Sequence, residues 1–192
     1  MTLAEVSRRS GVSISTLSKV ETGQAAPTFD TMLKIAGVLG VSFENLLGSP
    51  PRYSGSGVRA LTRGGEATAF ATTRYAYDVH ATELRRKKMI PLIMEIEAET
   101  PPGPEEWSSH PGEEFIYVLE GRIELHTALY EPAMLGPGES AYIDSAMPHG
   151  FVRLGRGPAR MLSICYGDLD LGRELSKDPE AGGAQTEDAG HG

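Results

Sequence analysis

Thr2-Leu3-Ala4-Glu5-Val6-Ser7-Arg8-Arg9-Ser10-Gly11-Val12-Ser13-Ile14-Ser15-Thr16-Leu17-Ser18-Lys19-Val20-Glu21-Thr22-Gly23 lies at the start of the sequence. Thr2 to Glu5 has the Ser/Thr-x-x-Glu form of a capping box, in which hydroxyl and carboxylate satisfy free N–H groups at a helix start. Leu3, Val6 and the Ala4 methyl give that helix one apolar side. Gly11 follows Ser10 where a helix ends on a residue that tolerates positive φ. Val12 reads as a buried turn residue, and Ser13 caps a second helix over Ile14–Glu21. Leu17 and Val20 fall on its inner face; Ser15, Thr16, Ser18 and Lys19 fall on the outer one. Thr22-Gly23 ends it.

Two short helices joined by a glycine-bearing turn form the motif that lays its second helix in the major groove of DNA. The words Thr2-Leu3-Ala4-Glu5-Val6-Ser7, Gly11-Val12-Ser13, Leu17-Ser18-Lys19-Val20-Glu21-Thr22-Gly23 and Pro27-Thr28 resemble the helix-turn-helix of XRE (Cro/repressor-like) regulators. The resemblance continues through a capped amphipathic helix over 28–39, closed by Gly40, and ends in a last capped turn over 42–47. It implies that Ile14, Ser15 and Lys19 approach base edges. Ser13, Thr16 and Ser18 would sit nearer phosphate or base, with Ile14 against a thymine methyl. Domains of that family have five helices, and this chain begins at the second. The first would cover Leu3, Val6 and Leu17 of a core already small; either the true start lies upstream and supplies it, or it was lost and DNA binding is weakened. A helical bundle used only for protein contacts is the plainer alternative.

The chain has 192 residues, 40% of them hydrophobic, which suffices for one large or two small domains with a real core. It contains no apolar run of eighteen residues and no charged-then-apolar leader, so the expectation is a cytoplasmic protein with no membrane partner. Its single cysteine, Cys165, lies in an apolar strand and reads as a buried, inert thiol. The net charge of −8 is uneven: residues 1–50 are neutral, 51–90 carry +5 and 91–192 carry −13. Such a balance excludes non-specific coating of nucleic acid, which runs on many phosphate contacts. A small, specific reading head remains compatible with it. Arg85-Arg86-Lys87-Lys88 is the one basic cluster, read as a solvated strand end or an anion contact. Gly48-Ser49-Pro50-Pro51 and Ser54-Gly55-Ser56-Gly57 read as a flexible linker. From Asp168 onward the chain is Gly-, Asp- and Glu-rich without periodicity, which reads as a disordered acidic tail that includes His191.

Between linker and tail, turn residues punctuate short β-rich runs at 91–96, 115–119, 122–125, 140–143 and 160–166, a spacing that suggests an antiparallel barrel or sandwich. His110-Pro111-Gly112-Glu113-Glu114 leads into Phe115-Ile116-Tyr117-Val118-Leu119 and then Glu120-Gly121. Gly136-Pro137-Gly138-Glu139-Ser140 and Met147-Pro148-His149 follow. His110 and Glu114 differ by four, so on an extended strand they face one side. Ile116 and Val118 share that parity and line the interior, while Glu113 points outward. Phe115, Tyr117 and Leu119 face the other way and are also apolar, so that face calls for a second layer or a second copy. Tyr75 and Tyr77 alternate on one face of an earlier strand, where they pack together or stack on an effector. Trp107, beside a Pro/Glu loop, reads as a lid or interface residue.

These words resemble the two motifs of the cupin family, a small jelly-roll barrel, over roughly residues 60–167. His110, Glu114 and Gly121 match the second histidine, the glutamate and the glycine of the first motif, and Ser108 stands at the first histidine position. Gly138 and His149 match in the second motif; Asp144, Ala146 and Arg153 replace its usual Pro, Gly and Asn. The resemblance implies a metal set of His110, Glu114 and His149, suited to one divalent ion of zinc, iron, manganese or nickel with open positions. A metal-free pocket in which the histidines only hydrogen-bond is the other reading. Ser108, Ile116, Val118, Tyr75 and Tyr77 are the candidate effector-pocket residues. His80 and His126 lie outside the motif words and read as surface or rim residues.

The expected fold is α+β and multidomain. An all-α helix-turn-helix at 1–48 and a linker at 49–59 precede an all-β cupin jelly-roll barrel at 60–167 and a tail at 168–192. The expected function is a dimeric regulator that binds operator DNA and senses a small-molecule effector in the barrel. A mononuclear-iron phosphonate epoxidase shares this layout and resembles the chain around Ser109-His110 to Gly121, so a metal-dependent enzyme is the second reading. A ligand-binding barrel with an incompetent DNA-binding domain is the third.

Overall fold

The computed structural model describes residues 1–48, 57–84, 87–104 and 106–167. The expected tail, most of the expected linker and Arg85-Arg86 lie outside the described residues. Four helices come first: α1 (Leu3–Ser10), α2 (Ile14–Glu21), α3 (Phe29–Leu39) and α4 (Phe43–Leu46). Their starts follow the capping residues. Thr2, Ser13 and Thr28 each accept a backbone N–H with the side-chain oxygen, from Glu5, Thr16 and Thr31. Gly11 at φ 72° and Gly40 at φ 67° close α1 and α3 in the left-handed conformation. The last turn differs from its expected capping: the Ser42 hydroxyl donates to Asn45 Oδ1 at 2.7 Å rather than accepting from the backbone.

Val6, Val12 and Leu17 pack with Val38, and Leu3 and Ile35 lie against them. The side chains expected to need another helix are therefore covered by α3, with Val6 and Leu17 buried and Leu3 half-buried.

Among the described residues nine strands follow: β1 (Thr68–Ala71), β2 (Tyr75–Val79), β3 (Met89–Ile96), β4 (Glu113–Glu120), β5 (Arg122–Thr127), β6 (Ala133–Leu135), β7 (Ser140–Asp144), β8 (His149–Leu154) and β9 (Arg160–Tyr166). They form a six-stranded sheet in the order β1-β2-β3-β9-β4-β7 and a three-stranded sheet in the order β6-β5-β8. The ladders are antiparallel. The expected barrel is thus two sheets around one core rather than a ring of strands bonded all the way round. Gly121 turns β4 into β5 at φ 70°, where a Cβ would stand 2.2 Å from the Pro158 carbonyl oxygen; only glycine fits.

Strand parity places Ile116 and Val118 of β4 in the core with Ile123, Leu92, Ile96 and Met161. The opposite parity stays open. Phe115, Tyr117, Leu119 and neighbouring Tyr142 are all exposed, so nothing among the described residues covers this outer face. The helices do cover another part of the sheet. Phe29, Met32, Leu33 and Phe43 belong to the same buried cluster as Tyr75, Tyr77 and Ile90. Besides the chain connection expected at the linker, α3 and α4 share a buried cluster with the strands. Lys87, expected in a solvated basic patch, instead forms an ion pair with Glu44 of α4, both side chains being largely buried.

Candidate functional site

Glu114 is the second residue of β4 and points inward. His110 reaches it from the turn before that strand, and His149 from the first position of β8. Glu114 Oε2 lies 3.5 Å from His110 Nε2 and 3.2 Å from His149 Nε2. The two imidazole rings stand nearly perpendicular, 5.5 Å apart between centroids. Each of the three side chains is no more than 3% exposed. A carboxylate so deep survives only with partners. Besides the histidines, the Ser163 hydroxyl of β9 donates to Glu114 Oε1 at 2.6 Å.

The imidazole of His149 is held from behind, its Nδ1 2.9 Å from the Met147 carbonyl oxygen, which directs Nε2 at the carboxylate. Burial alone would raise the Glu114 carboxyl, but hydrogen bonds from His110 and His149 outweigh it and hold the group well below the usual carboxylate range. For His149, burial works against the charged form, yet the Glu114 contact prevails and the imidazole is shifted up.

Cys165 of β9 is a fourth donor beside this trio. The donor atoms of His110, Glu114 and Cys165 lie within 4.8 Å of one another, and Sγ is 4.0 Å from His110 Nε2. Burial and the Glu114 charge push the thiol well above its ordinary value, which fits the inert thiol expected from sequence in the absence of a cation. The imidazole, carboxylate and thiol of this group are donors that fit a divalent transition ion, and the His149 imidazole lies against the same carboxylate. His110 Nδ1 is buried without a partner among the described residues.

Ser108 exchanges backbone hydrogen bonds with His149, each at 2.9 Å, and so lies beside the trio. The cavity over the site is lined by Ser108, Tyr75, Tyr77, Leu92, Met94, Phe151, Ser163, Cys165, the trio and Phe29, and leaves about 10 Å³ for the centre of a water-sized molecule. That is room for one water at most. Of the candidate pocket residues, Ser108, Tyr75 and Tyr77 line it. Ile116 and Val118 lie further along β4 in the solid core, because parity fixes their face but not their depth along the strand. The Tyr75 hydroxyl is used internally: it donates to the Phe151 carbonyl and accepts the Phe151 N–H. His126 is buried rather than on the surface and pairs with Glu124 at 2.6 Å. Trp107 is half-buried.

Sequence reasoning missed Phe29, Asp30 and Ser163. Phe29 presents its ring edge-on to His110, 5.6 Å between centroids, and the Asp30 carboxylate accepts the Ser109 N–H. Ser163 shares inward parity with Met161 and Cys165 on β9, a signal available in the sequence. The role of Phe29 and Asp30 had no such signal, since both fit an ordinary helix start.

At the other end of the helical domain, α2 is open. Ser13, Ile14, Ser15 and Lys19 are exposed, Ile14 by 52%; Thr16 and Ser18 are half-buried. The Ser13 hydroxyl also meets Ser15 Oγ at 2.9 Å and Thr16 Oγ1 at 2.8 Å, which organises the first turn.

Residues 1–46 match the helix-turn-helix family, and residues 93–165 match the cupin domain family. The chain is a helix-turn-helix protein with a cupin domain. It is similar to (S)-2-hydroxypropylphosphonic acid epoxidase of Streptomyces wedmorensis, at 28% identity over 96 residues, 48% of this chain and 48% of that protein. The chain is thus matched over about half the length of that curated relative. A structure of the epoxidase aligns with 86% of this chain and 90% of its own at 25% identity, with a TM-score of 0.49. A helix-turn-helix transcriptional regulator from Vibrio cholerae aligns over 87% of both chains at 19% identity, with a TM-score of 0.56, and shares the fold. No helix among the described residues is long and apolar enough to cross a membrane.

The electrostatics of Glu114 have a measurable sign. Unfolding returns its carboxyl to a value near 4.5 from a lower one in the folded cupin domain. The unfolded chain then binds more protons as pH falls, so this contribution is complete above about pH 4.5 and is lost below it. In metal-stripped protein, Glu114→Gln is expected to cost about 3 kcal/mol near neutral pH. That deficit shrinks as pH drops below 4.5, read from urea unfolding at a series of pH values. A deficit constant with pH would contradict the ionised, histidine-paired carboxylate.

Proposed function

We propose that the protein is a cytoplasmic DNA-binding transcriptional regulator whose cupin domain senses a small molecule. The observation that carries this reading is the open face of α2 on a head whose α3 is docked over the His110–Glu114–His149 site. Lys19, Ser15 and Ile14 offer a cation, a hydroxyl and an apolar contact on one face, the chemistry that reads base edges. Ser13, Thr16 and Ser18 are placed for phosphate or adjoining base contacts. An acidic chain with so compact a basic surface relies on specific contacts rather than charge alone.

In this reading His110, Glu114 and His149 hold one divalent transition ion, of zinc, iron, manganese or nickel. When bound, such an ion supplies a Lewis acid that anchors or polarises an oxygen-bearing effector. Met147 and Ser163 keep His149 and Glu114 aimed at it, and the surrounding aromatic residues exclude water. The protein acts as a homodimer, because a helix-turn-helix reads two half-sites about one turn of DNA apart. The open apolar face of β4 and β7 supports pairing through the cupin domains. A second reading, a metal-dependent enzyme, is favoured by the donor trio together with the likeness to an epoxidase. Oxygen consumption by metal-loaded protein separates it from the regulator.

Three outcomes test the proposal. Selection from random duplexes should yield a preferred operator, and Lys19→Ala should weaken its binding by about 1–3 kcal/mol in fluorescence anisotropy. Equal affinity for operator and random duplex would sink the regulator reading and leave a ligand-binding cupin without DNA function. Elemental analysis should find about one transition ion per chain, lost in His110→Ala or His149→Ala and released in mild acid as the imidazoles protonate. Metal-free protein whose effector binding ignores added ions would favour the plain pocket. Light scattering should give twice the chain mass, reduced to the monomer by Tyr117→Glu, which puts an unpaired charge into the covered face. A monomeric wild type at micromolar concentration would refute this interface.

A further inference from the structure

The cupin cavity is closed by a side chain from the helical domain. Phe29, the first residue of α3, is 4% exposed. Its ring lies edge-on to His110 at 5.6 Å and stacks with Tyr77 at 6.0 Å, with Phe43 at 5.0 Å on another side. Polar contacts hold α3 and α4 in place. The Asp30 carboxylate accepts the N–H of Ser109, the residue before His110, and Glu44 pairs with Lys87.

The Asp30 tie is a single one. Its Oδ1 is buried with no partner among the described residues, so the Ser109 N–H is the bond that joins this carboxylate to the cupin domain. Replacing Asp30 by Ala removes that bond and leaves the Ser109 donor without its acceptor. An aromatic plug and one polar tie hold the first turn of α3, few contacts for a local opening to break.

We propose that the binding site belongs to both domains: Phe29 and Asp30 form its outer wall and gate, and a ligand fills the cupin cavity only by displacing the start of α3. The proposal rests on the sensor reading above for its purpose, and adds how that site is regulated. With room for one water at present, any effector must take the place of the Phe29 ring. The space so opened is the size of a benzyl group, walled by Tyr77 and His110 with Glu114 beneath. It suits a small ligand with one flat or apolar part and one hydrogen-bond donor. The far end of α3 carries Ile35 and Val38 under α1 and α2, so moving its first turn moves the reading head. By linkage, DNA that fixes the heads in one placement changes ligand affinity by the same factor that ligand changes DNA affinity.

The cavity holds its own reporter. Cys165 is the chain's single cysteine, is 2% exposed and lines the same cavity. Methyl methanethiosulfonate is a small neutral probe: the thiolate attacks its sulfenyl sulfur, forms a mixed disulfide and releases methanesulfinate. Labelling of the full chain is followed by mass at fixed pH without denaturant and in low urea. Phe29→Ala and Asp30→Ala should each label at least about 10-fold faster than wild type, because local opening needs only the gate. Their rates should respond weakly to low urea, as little surface is exposed. Leu125→Ala, a core truncation in β5, is the control for lost stability alone.

Should Phe29→Ala fail to fold, Asp30→Ala carries the test. Rates for the gate variants equal to wild type, or no faster than Leu125→Ala at matched stability, would overturn the gate. So would a steep urea dependence, which marks global unfolding. The outcome is independent of the regulator reading. Fast gated labelling without operator binding defeats that reading alone, and operator binding with ungated labelling defeats this proposal alone.

Discussion

A carboxylate buried at 3% exposure dictates most of what surrounds it. Glu114 cannot be ionised in the interior without donors at short range, and the fold brings them from three directions. The turn before β4 brings His110, β8 brings His149, and β9 brings Ser163. The two sheets must meet at the right stagger for this to happen, since His149 belongs to the smaller sheet while Glu114 and Ser163 belong to the larger. Ser108 ties the junction by bridging to the His149 backbone. The electrostatic demand of one side chain thus fixes the relation of both sheets.

The elements that depend on local chemistry were legible. Thr2, Ser13 and Thr28 announced three helix starts, and Gly11 and Gly40 two ends, because capping is decided within a few residues. Alternation along 114–118 separated Glu114, Ile116 and Val118 from Phe115 and Tyr117, because strand parity is a covalent fact. The gathering of His110, Glu114 and His149 was what the resemblance to the cupin motifs implied.

What sequence withheld depends on distance in space rather than along the chain. Asp30 and Ser109 are far apart in sequence, and nothing about Thr28-Phe29-Asp30 distinguishes a helix start that docks on a sheet from one that faces water. The partner of Lys87 was hidden in the same way: beside Arg85, Arg86 and Lys88 it looks like one more solvated cation, yet Glu44 takes it out of solvent. Cys165 was correctly read as buried, but its neighbours come from β4 and the preceding turn, so its place at the donor set was invisible. Depth along a strand was equally hidden, which is why Ile116 and Val118 turned out to be solid core.

The eleven-residue α3 runs about 16 Å from the cupin cavity to the underside of α1 and α2. Its first turn is part of one chemical environment and its last turn part of another. A boundary drawn at the linker, the natural place to cut by composition, leaves Phe29 and Asp30 on the wrong side. A chimera that grafts a foreign DNA-reading head onto this cupin would therefore lose a wall of the sensor along with its specificity. Heads and sensors joined this way are exchangeable only in pairs: the first turn of α3 has to be inherited with the pocket it closes.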